Sequence, residues 1–195
     1  MPQIRDIVAP DLRALFVGIN PGLRSAALGH NFAGKGNPFW RLLFAAELIG
    51  EPLTFVDERR LLDFGFGITN VCARPSRTAG ELTRAELAAG ARDLERRVRR
   101  LRPRVVVLVG LTIYQQIFGR AATPGAGEKP QTFGGARLFV VPNPSGLNAS
   151  FPGFAQKLVW FTALREYLAN VENSRESPRE IAAGLQRARR IGRQQ

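Results

Sequence analysis

Two asparagines in the sequence each follow directly on a run of apolar residues. Asn20 stands in the stretch GINPGL (18–23), and Asn143 opens the stretch NPSGLNAS (143–150). Proline and glycine make tight turns, so each amide is held where a strand ends. The carboxyl ends of parallel strands meet at one edge of a sheet, where open α/β folds bind ligands. We therefore predict that both amides face one cleft, and the alternative is that Asn-Pro is only favourable turn chemistry.

Four short apolar runs are typical of parallel strands that are covered on both faces. They span residues 13–19, 66–71, 105–110 and 137–142. Helical patterns lie between them, and parallel neighbours need such crossover connections. The sequence therefore predicts an α/β fold, a three-layer α/β/α sandwich with a central, mostly parallel sheet of about four strands.

Capping signals mark where the helices are expected to begin. Thr83 and Glu86 have the spacing of a capping box. Asn37 is expected to cap a helix that Pro38 opens, and Asp57 to cap a shorter helix that ends before residue 65. Residues 111–118 are expected to form a short helix, and the last helix is expected to open at residue 152.

The chain is strongly basic, with 28 Lys and Arg against 16 Asp and Glu and a net charge of +12. Such a field attracts polyanions, and arginine clamps phosphate with two parallel hydrogen bonds, which favours nucleic acid as a partner. The alternative is a GC-rich genome that encodes arginine wherever a solvated charge is needed.

Single copies of two residue types limit the chemistry. Cys72 is the only cysteine and His30 the only histidine, which excludes an internal disulfide, a cysteine-cluster zinc site and any site that needs two imidazoles. We predict no metal and no cofactor. The sequence has no run of eighteen apolar residues and no secretory signal pattern, so we expect no membrane partner and a cytoplasmic protein.

The composition changes near residue 173. Residues 1–172 are expected to form one domain, and residues 173–195 form a basic, Arg-rich tail that is expected to be weakly helical or disordered. A second loop, GHNFAGKG (29–36), matches part of a Walker phosphate-binding motif. Gly36 occupies the place of its Ser or Thr, and the loop does not follow its strand directly, so a nucleotide-binding protein is the weaker alternative.

The two asparagine motifs, in this order and with Phe32 and NPFW (37–40) between them, resemble the mismatch-specific uracil-DNA glycosylase and thymine-DNA glycosylase family. That family is a branch of the uracil-DNA glycosylase superfamily, and the resemblance covers residues 7–168. It implies an enzyme that rotates a nucleotide out of duplex DNA into a pocket. A wedge from residues 145–148 would fill the gap: Ser145, Gly146, Leu147 and Asn148.

The resemblance also implies how the base is held and removed. Asn20 would position the attacking water through its carbonyl oxygen, and Asn143 would offer the departing base a neutral hydrogen bond. Related branches place Asp and His at these two points, so slower chemistry is expected. Phe32 would stack on the flipped pyrimidine, with four further residues around the base: Ile19, Gly22, Ser25 and Asn37.

Departures from the family affect the DNA contacts and the substrate range. Asn148 and Ala149 replace a Ser-Arg pair of the best-known bacterial members, and Arg24 is expected to supply the lost charge. Asn70 stands where a lysine is often found. Further phosphate contacts are predicted for basic residues near the active edge: Lys35, Arg74, Arg77 and Lys157. Asp63 or Asp93 is a candidate carboxylate to assist the water, although solvated ion pairs are the default for both.

These observations together predict a monomeric DNA glycosylase that needs no metal. It would remove uracil and related damaged pyrimidines opposite guanine in double-stranded DNA and so initiate base excision repair. The two motifs contain no lysine, which argues against an imine-forming lyase, so base excision alone is expected. The alternative from another class is a basic nucleic-acid-binding module without catalytic activity.

Overall fold

The computed structural model describes residues 4–34, 36–145 and 151–191, with side chains to residue 174. Its centre is one five-stranded sheet in the order β2-β1-β3-β5-β4. The strands are β1 (Ala14–Gly18), β2 (Phe66–Asn70), β3 (Val105–Val109), β4 (Gly127–Phe133) and β5 (Ala136–Val141). The α-helices are α1 (Leu23–Leu28), α2 (Phe39–Ala45), α3 (Arg84–Leu101), α4 (Leu111–Phe118) and α5 (Phe154–Ile191), and 3-10 helices span Phe55–Phe64, Ala79–Glu81 and Gly119–Ala121.

Four strands run parallel, which confirms the predicted fold class. β1 lies between β2 and β3, with Gly18 opposite Asn70, and β3 pairs with β5 so that Val109 lies opposite Val141. The carboxyl ends of β1, β2, β3 and β5 therefore form one edge of the sheet. This edge carries the turn after β1 and the loop after β5.

The fifth strand is a correction to the predicted count. β4 pairs antiparallel with β5 at the border of the sheet. Its buried and exposed residues alternate, and it contains Pro130, which cannot donate to a strand ladder and is tolerated at edges. This half-polar pattern differs from the continuous apolar runs that identified the other strands.

Two apolar layers enclose the sheet. Side chains from one face, such as Phe16 and Ile68, pack with α2, α5 and the 3-10 helix Phe55–Phe64. The opposite face packs with α3 and α4 through residues such as Val17 and Val106. All residues of β1 and β3 are buried, as expected for strands covered on both sides.

Most helix boundaries follow the predicted capping chemistry. The Thr83–Glu86 capping box precedes α3 as predicted, and α4 spans residues 111–118. Asp57 is not the cap of its helix, because Thr54 holds that position and donates its backbone N–H to the Asp57 carboxylate over 3.0 Å. The short helix α1, directly after the first asparagine motif, has no counterpart in the prediction.

The last helix passes the predicted domain boundary without a break. α5 runs from Phe154 to Ile191, so its backbone joins the domain to the Arg-rich segment. The division at residue 172 stays a prediction. Within the described ranges, no helix combines the length and the apolar character that crossing a bilayer requires.

Candidate active site

Asn20 is clamped by its amide nitrogen. Its Nδ2 donates to the Arg74 carbonyl oxygen over 2.9 Å and to Ser76 Oγ over 2.7 Å. Ser76 Oγ uses its own hydrogen for the Thr78 carbonyl, 2.6 Å away, so it can only accept from Asn20. Exchanging the amide nitrogen and oxygen would bring Asn20 Oδ1 against the Arg74 carbonyl oxygen, and two acceptors cannot form a hydrogen bond. Within the described residues, Oδ1 of Asn20 accepts no hydrogen bond, which leaves it available to a water molecule.

The loop after β2 supplies both partners of this clamp. It runs beside the turn after β1, where the Cys72 N–H donates to the Ile19 carbonyl over 2.9 Å and the Ser76 N–H to the Pro21 carbonyl over 3.2 Å. Ser76 is buried, with 3% of its surface exposed. The sequence analysis did not identify Ser76, because nothing in its local pattern shows that the loop folds back onto the turn.

Phe32 has a left-handed backbone, with φ of 51°, a conformation that is uncommon outside glycine. Hydrogen bonds on both sides hold the loop: the Asn31 N–H donates to Glu58 Oε2 over 2.8 Å, and the Ala33 N–H to Ser25 Oγ over 3.1 Å. The Phe32 ring stacks on Phe39, with centroids 3.9 Å apart and planes 19° apart. Phe32 is only partly buried, so Phe39 supports one face of the ring and part of the ring stays exposed as an aromatic surface.

Ser25 and Asn37, two predicted pocket residues, have structural roles. Ser25 is buried and its hydroxyl anchors the loop at Ala33. The Oδ1 atom of Asn37 accepts the Phe39 N–H over 3.0 Å just before α2, although Pro38, and not Asn37 as predicted, holds the N-cap position of that helix. Gly22 is exposed at the start of α1. These contacts shape the loop that carries Phe32.

Asn70 and Phe32 meet above Gly18. A Cβ atom on Gly18 would lie 2.5 Å from Asn70 Oδ1 and 3.9 Å from the tip of the Phe32 ring, so only glycine leaves room there. The sequence analysis treated Asn70 only as a departure from the family. Its position beside the aromatic ring and at the same sheet edge as Asn20 makes it a further candidate site residue. Within the described chain, the Phe32 N–H also has no acceptor.

Asn143 lies at the same sheet edge, as predicted. It follows β5, and a Cβ atom on Gly110 after β3 would lie 3.6 Å from its Cβ. One strand separates β1 from β5, which sets the two asparagine turns about 10 Å apart at the usual strand spacing. The Asn143 Oδ1 atom accepts the Ser145 N–H over 2.9 Å, so the side chain also shapes its own turn.

Lys157 corrects one predicted phosphate contact. The residue is 2% exposed, and its Nζ donates to the carbonyl oxygens of Pro144 and Ser145 over 3.2 and 3.3 Å. Burial lowers the pKa of its ammonium group. A group inside the protein cannot contact a DNA backbone, so Lys157 instead anchors the start of the predicted wedge. The wedge residues Gly146, Leu147 and Asn148 lie outside the described residues.

Replacing Lys157 with methionine is expected to lower the free energy of unfolding by about 1–3 kcal/mol, because carbonyl groups at the start of the loop lose their donor. The measurement is urea unfolding of the variant and the wild type. Gln156→Met, at an exposed neighbour on α5, is the matched control and should remain close to wild type. Equal stability of the Lys157→Met and wild-type proteins would show that the ammonium does not secure this loop.

The other predicted phosphate contacts divide into two groups. Arg24 and Arg77 are exposed, and within the described residues neither guanidinium has a hydrogen bond or an ion pair. Arg74 instead donates to Glu86 over 2.6 and 3.1 Å and to the Glu81 carbonyl over 2.8 Å. Arg74 therefore links the loop after β2, which holds the Asn20 amide, to the start of α3. Lys35 lies outside the described residues.

The pKa of Glu86 is lowered to about 2, first by the Arg74 guanidinium and then by hydrogen bonds from Thr83. Its ordinary value is 4.5, so the unfolded chain binds more protons between these pH values. The stability that this carboxylate contributes is complete above about pH 4.5 and is lost as the pH falls toward 2.

Glu86→Gln is therefore expected to flatten the dependence of the unfolding free energy on pH between about 4.5 and 2. Denaturant unfolding at a series of pH values measures this slope. Arg74→Met removes the main cause of the shift and should flatten the slope in part. An unchanged slope in Glu86→Gln would mean that the carboxylate does not titrate differently in the folded protein.

The two candidate carboxylates occupy different places relative to Asn20. Asp63 is exposed at the end of the 3-10 helix that leads into the amino end of β2, which is the opposite edge of the sheet. Asp93 is exposed within α3 and pairs with Arg96. The prediction for Asp63 is therefore wrong, whereas the one for Asp93 stays a prediction, because Asp93 lines the open groove beside Pro21 and Asn70. Among the residues that the structure describes, no three His, Cys, Asp or Glu side chains are grouped to hold a metal ion.

An open groove of about 1120 Å³ lies beside the turn after β1 and the carboxyl end of β2. Its lining includes Pro21, Asn70 and Arg74, together with the buried carboxylate of Glu58.

The Walker-like loop does not run from a strand into a helix. It follows α1, where Gly29 closes that helix with φ of 75°, so it lacks the strand–loop–helix geometry that cradles phosphates.

Comparisons with known proteins agree with this architecture. A family model described as the uracil DNA glycosylase superfamily matches residues 5–169. A solution NMR structure of a candidate uracil DNA glycosylase from Methanosarcina acetivorans is similar to this chain, with a TM-score of 0.57 and 17% sequence identity. The similarity covers 86% of this chain and 98% of that chain. At this identity it supports the fold alone.

Proposed function

Because this chain belongs to the uracil DNA glycosylase superfamily, whose members are hydrolytic DNA glycosylases, we propose that it excises uracil and related damaged pyrimidines from G·U-type mismatches in duplex DNA. The observation that carries this proposal is the Asn20 amide, whose nitrogen is clamped and whose oxygen is left open at the carboxyl edge of the sheet. An aromatic surface at Phe32 and the amide of Asn70 lie at the same edge. We further propose that the enzyme is monomeric and cytoplasmic.

The base would leave the duplex and bind against Phe32, because a base inside the stack cannot be reached. A mispaired uracil costs least to extrude, which favours mismatches. Its ring would stack on the exposed part of the Phe32 ring, and its edge would face the amide of Asn70. The Phe32 N–H, for which the described residues supply no acceptor, would be a further donor to the base.

The water would be held by Asn20 Oδ1, which accepts one of its hydrogens. The glycosidic bond breaks with its electron pair leaving on the base, and the water oxygen bonds to the sugar carbon and releases a proton to solvent. An amide cannot take up that proton at neutral pH. The reaction therefore depends on a good leaving group, which is consistent with a preference for damaged or mispaired pyrimidines.

Residues 145–148 would fill the space that the base vacates, with Lys157 securing the first part of this loop. Arg24 and Arg77, whose guanidinium groups are exposed, would contact backbone phosphates. Such contacts position the enzyme on the duplex without reading its sequence. Their number sets the salt dependence of binding.

A labelled duplex with a single G·U mismatch tests the proposed function. After incubation in EDTA, alkali should cleave the labelled uracil strand at that site, and a matched G·C duplex should stay intact. An A·U duplex measures the preference for a mispair. Binding to the duplex without an abasic product would support the non-catalytic module instead. Magnesium-dependent ATP hydrolysis would support the nucleotide-binding alternative.

A further inference from the structure

A buried polar chain lies behind the proposed base site and ends at Asn70. We infer that Glu58 and Asn31 are positioning residues that hold the Asn70 amide in the orientation that reads an extruded uracil. This inference rests on the proposed function. We refer to Glu58, Asn31 and Asn70 as the amide relay.

Glu58 begins the relay as a carboxylate with little access to water. It lies on the 3-10 helix Phe55–Phe64 and is 7% exposed. Its Oε2 accepts the backbone N–H of Asn31 over 2.8 Å and the Nδ2 of the same residue over 3.1 Å. Its Oε1 lies 3.0 Å from His30 Nδ1. Burying a carboxylate is costly unless it is fully hydrogen-bonded, and here its partners are two consecutive residues of the Phe32 loop.

Asn31 has only one orientation that satisfies its neighbours. Its Nδ2 donates to Glu58 Oε2 and to the Arg5 carbonyl oxygen, 3.3 Å away. Both partners can only accept, so the amide nitrogen must face them and Oδ1 must face the other way. The side chain is 3% exposed, so water does not compete for these groups.

The fixed oxygen of Asn31 in turn orients Asn70. Asn70 Nδ2 donates to Asn31 Oδ1 over 3.4 Å. A rotated Asn70 amide would set two carbonyl oxygens against each other, so the relay holds its oxygen on the Gly18 side, near the Phe32 ring. Within the described residues, one N–H of Asn70 and its carbonyl oxygen have no partner, so they are available to a ligand.

This orientation matters because uracil and cytosine present opposite hydrogen-bonding groups. Uracil has an N–H donor at N3 and a carbonyl acceptor at C4, whereas cytosine has an acceptor at N3 and an amino donor at C4. A freely rotating amide could match either base, and a fixed one matches only one of them. A site built to hydrogen-bond its substrate rejects the base that leaves its groups unpaired. The relay thereby makes Asn70 selective for the keto pyrimidine.

A double-mutant cycle on single-turnover excision from the G·U duplex tests the relay. Asn31→Leu should slow excision about 10-fold, Asn70→Ala should slow it about 10- to 100-fold, and the double variant should be no slower than Asn70→Ala alone. Glu58→Gln, a smaller change, is carried through the same cycle in case Asn31→Leu does not fold. Duplex affinity should stay within about 2-fold for every variant, since the relay does not touch phosphates.

Glu51→Gln is the matched control, because it changes a partly exposed carboxylate outside the relay and should leave the rate unchanged. If the effect of either folded variant, Asn31→Leu or Glu58→Gln, multiplies with that of Asn70→Ala in the double variant, then that residue acts independently of Asn70 and the inference is overturned. If the wild type does not excise uracil at all, the proposed function fails before the cycle begins, so the two failures are distinguishable.

Discussion

Asn20→Ala is expected to slow single-turnover excision of uracil from a G·U duplex by about 100-fold or more. Loss of the amide oxygen leaves the attacking water without its acceptor, and misplacing one reacting group can cost a factor of this size. Binding of the duplex should change little, because Asn20 contacts its neighbours through Nδ2 and not through a surface that grips DNA. Rapid quench under enzyme excess measures the rate, and fluorescence anisotropy measures the affinity.

Two further variants separate this role from a structural one. Asn170→Ala makes the same substitution on the exposed surface of α5 and should keep the wild-type rate. Ser76→Ala removes one of the two anchors of the Asn20 amide and should give an intermediate rate. A folded Asn20→Ala protein with wild-type activity would exclude Asn20 as the group that positions the water.

Phe32→Ala is expected to slow excision by about 10- to 100-fold, because stacking of a base on an aromatic side chain contributes about 1–3 kcal/mol. The loss should appear mainly as weaker capture of the flipped base. A fluorescent adenine analogue beside the uracil would report that step as a smaller rise in emission on mixing. The excision rate is measured on the same duplex.

The controls for this prediction use other aromatic positions. Phe32→Tyr keeps an aromatic face and should retain most of the activity. Phe44→Ala removes a phenylalanine that is 43% exposed on α2 and should be neutral. Equal rates for Phe32→Ala and wild type would mean that the ring serves only to pack on Phe39.

Patterns local in the chain predicted the architecture and the sheet edge of the site. Continuous apolar runs identified the four parallel strands, and tight turns after two of them placed Asn20 and Asn143 on one edge. The superfamily part of the resemblance is confirmed by the family model, whereas the mismatch-specific branch stays a proposal. The capping box at Thr83 was also readable, because capping depends on residues three positions apart.

Contacts between distant segments were not predictable in the same way. The amide of Asn20 bonds to a loop 54–56 positions further along the chain, and Glu58 bonds to Asn31, 27 positions away. Lysine normally belongs on the surface, so nothing local indicated that Lys157 is buried under the second motif. The order of the strands in the sheet decides which distant segments meet, and a single sequence does not show that order.

The left-handed backbone of Phe32, with φ of 51°, has an energetic cost that any role of its ring must offset. Glycine would adopt this conformation without strain, whereas a phenylalanine there costs on the order of 1–3 kcal/mol. The chain nonetheless places its aromatic surface at that point. Under the proposed function, the stability of the fold and the capture of the base would therefore favour different residues at position 32.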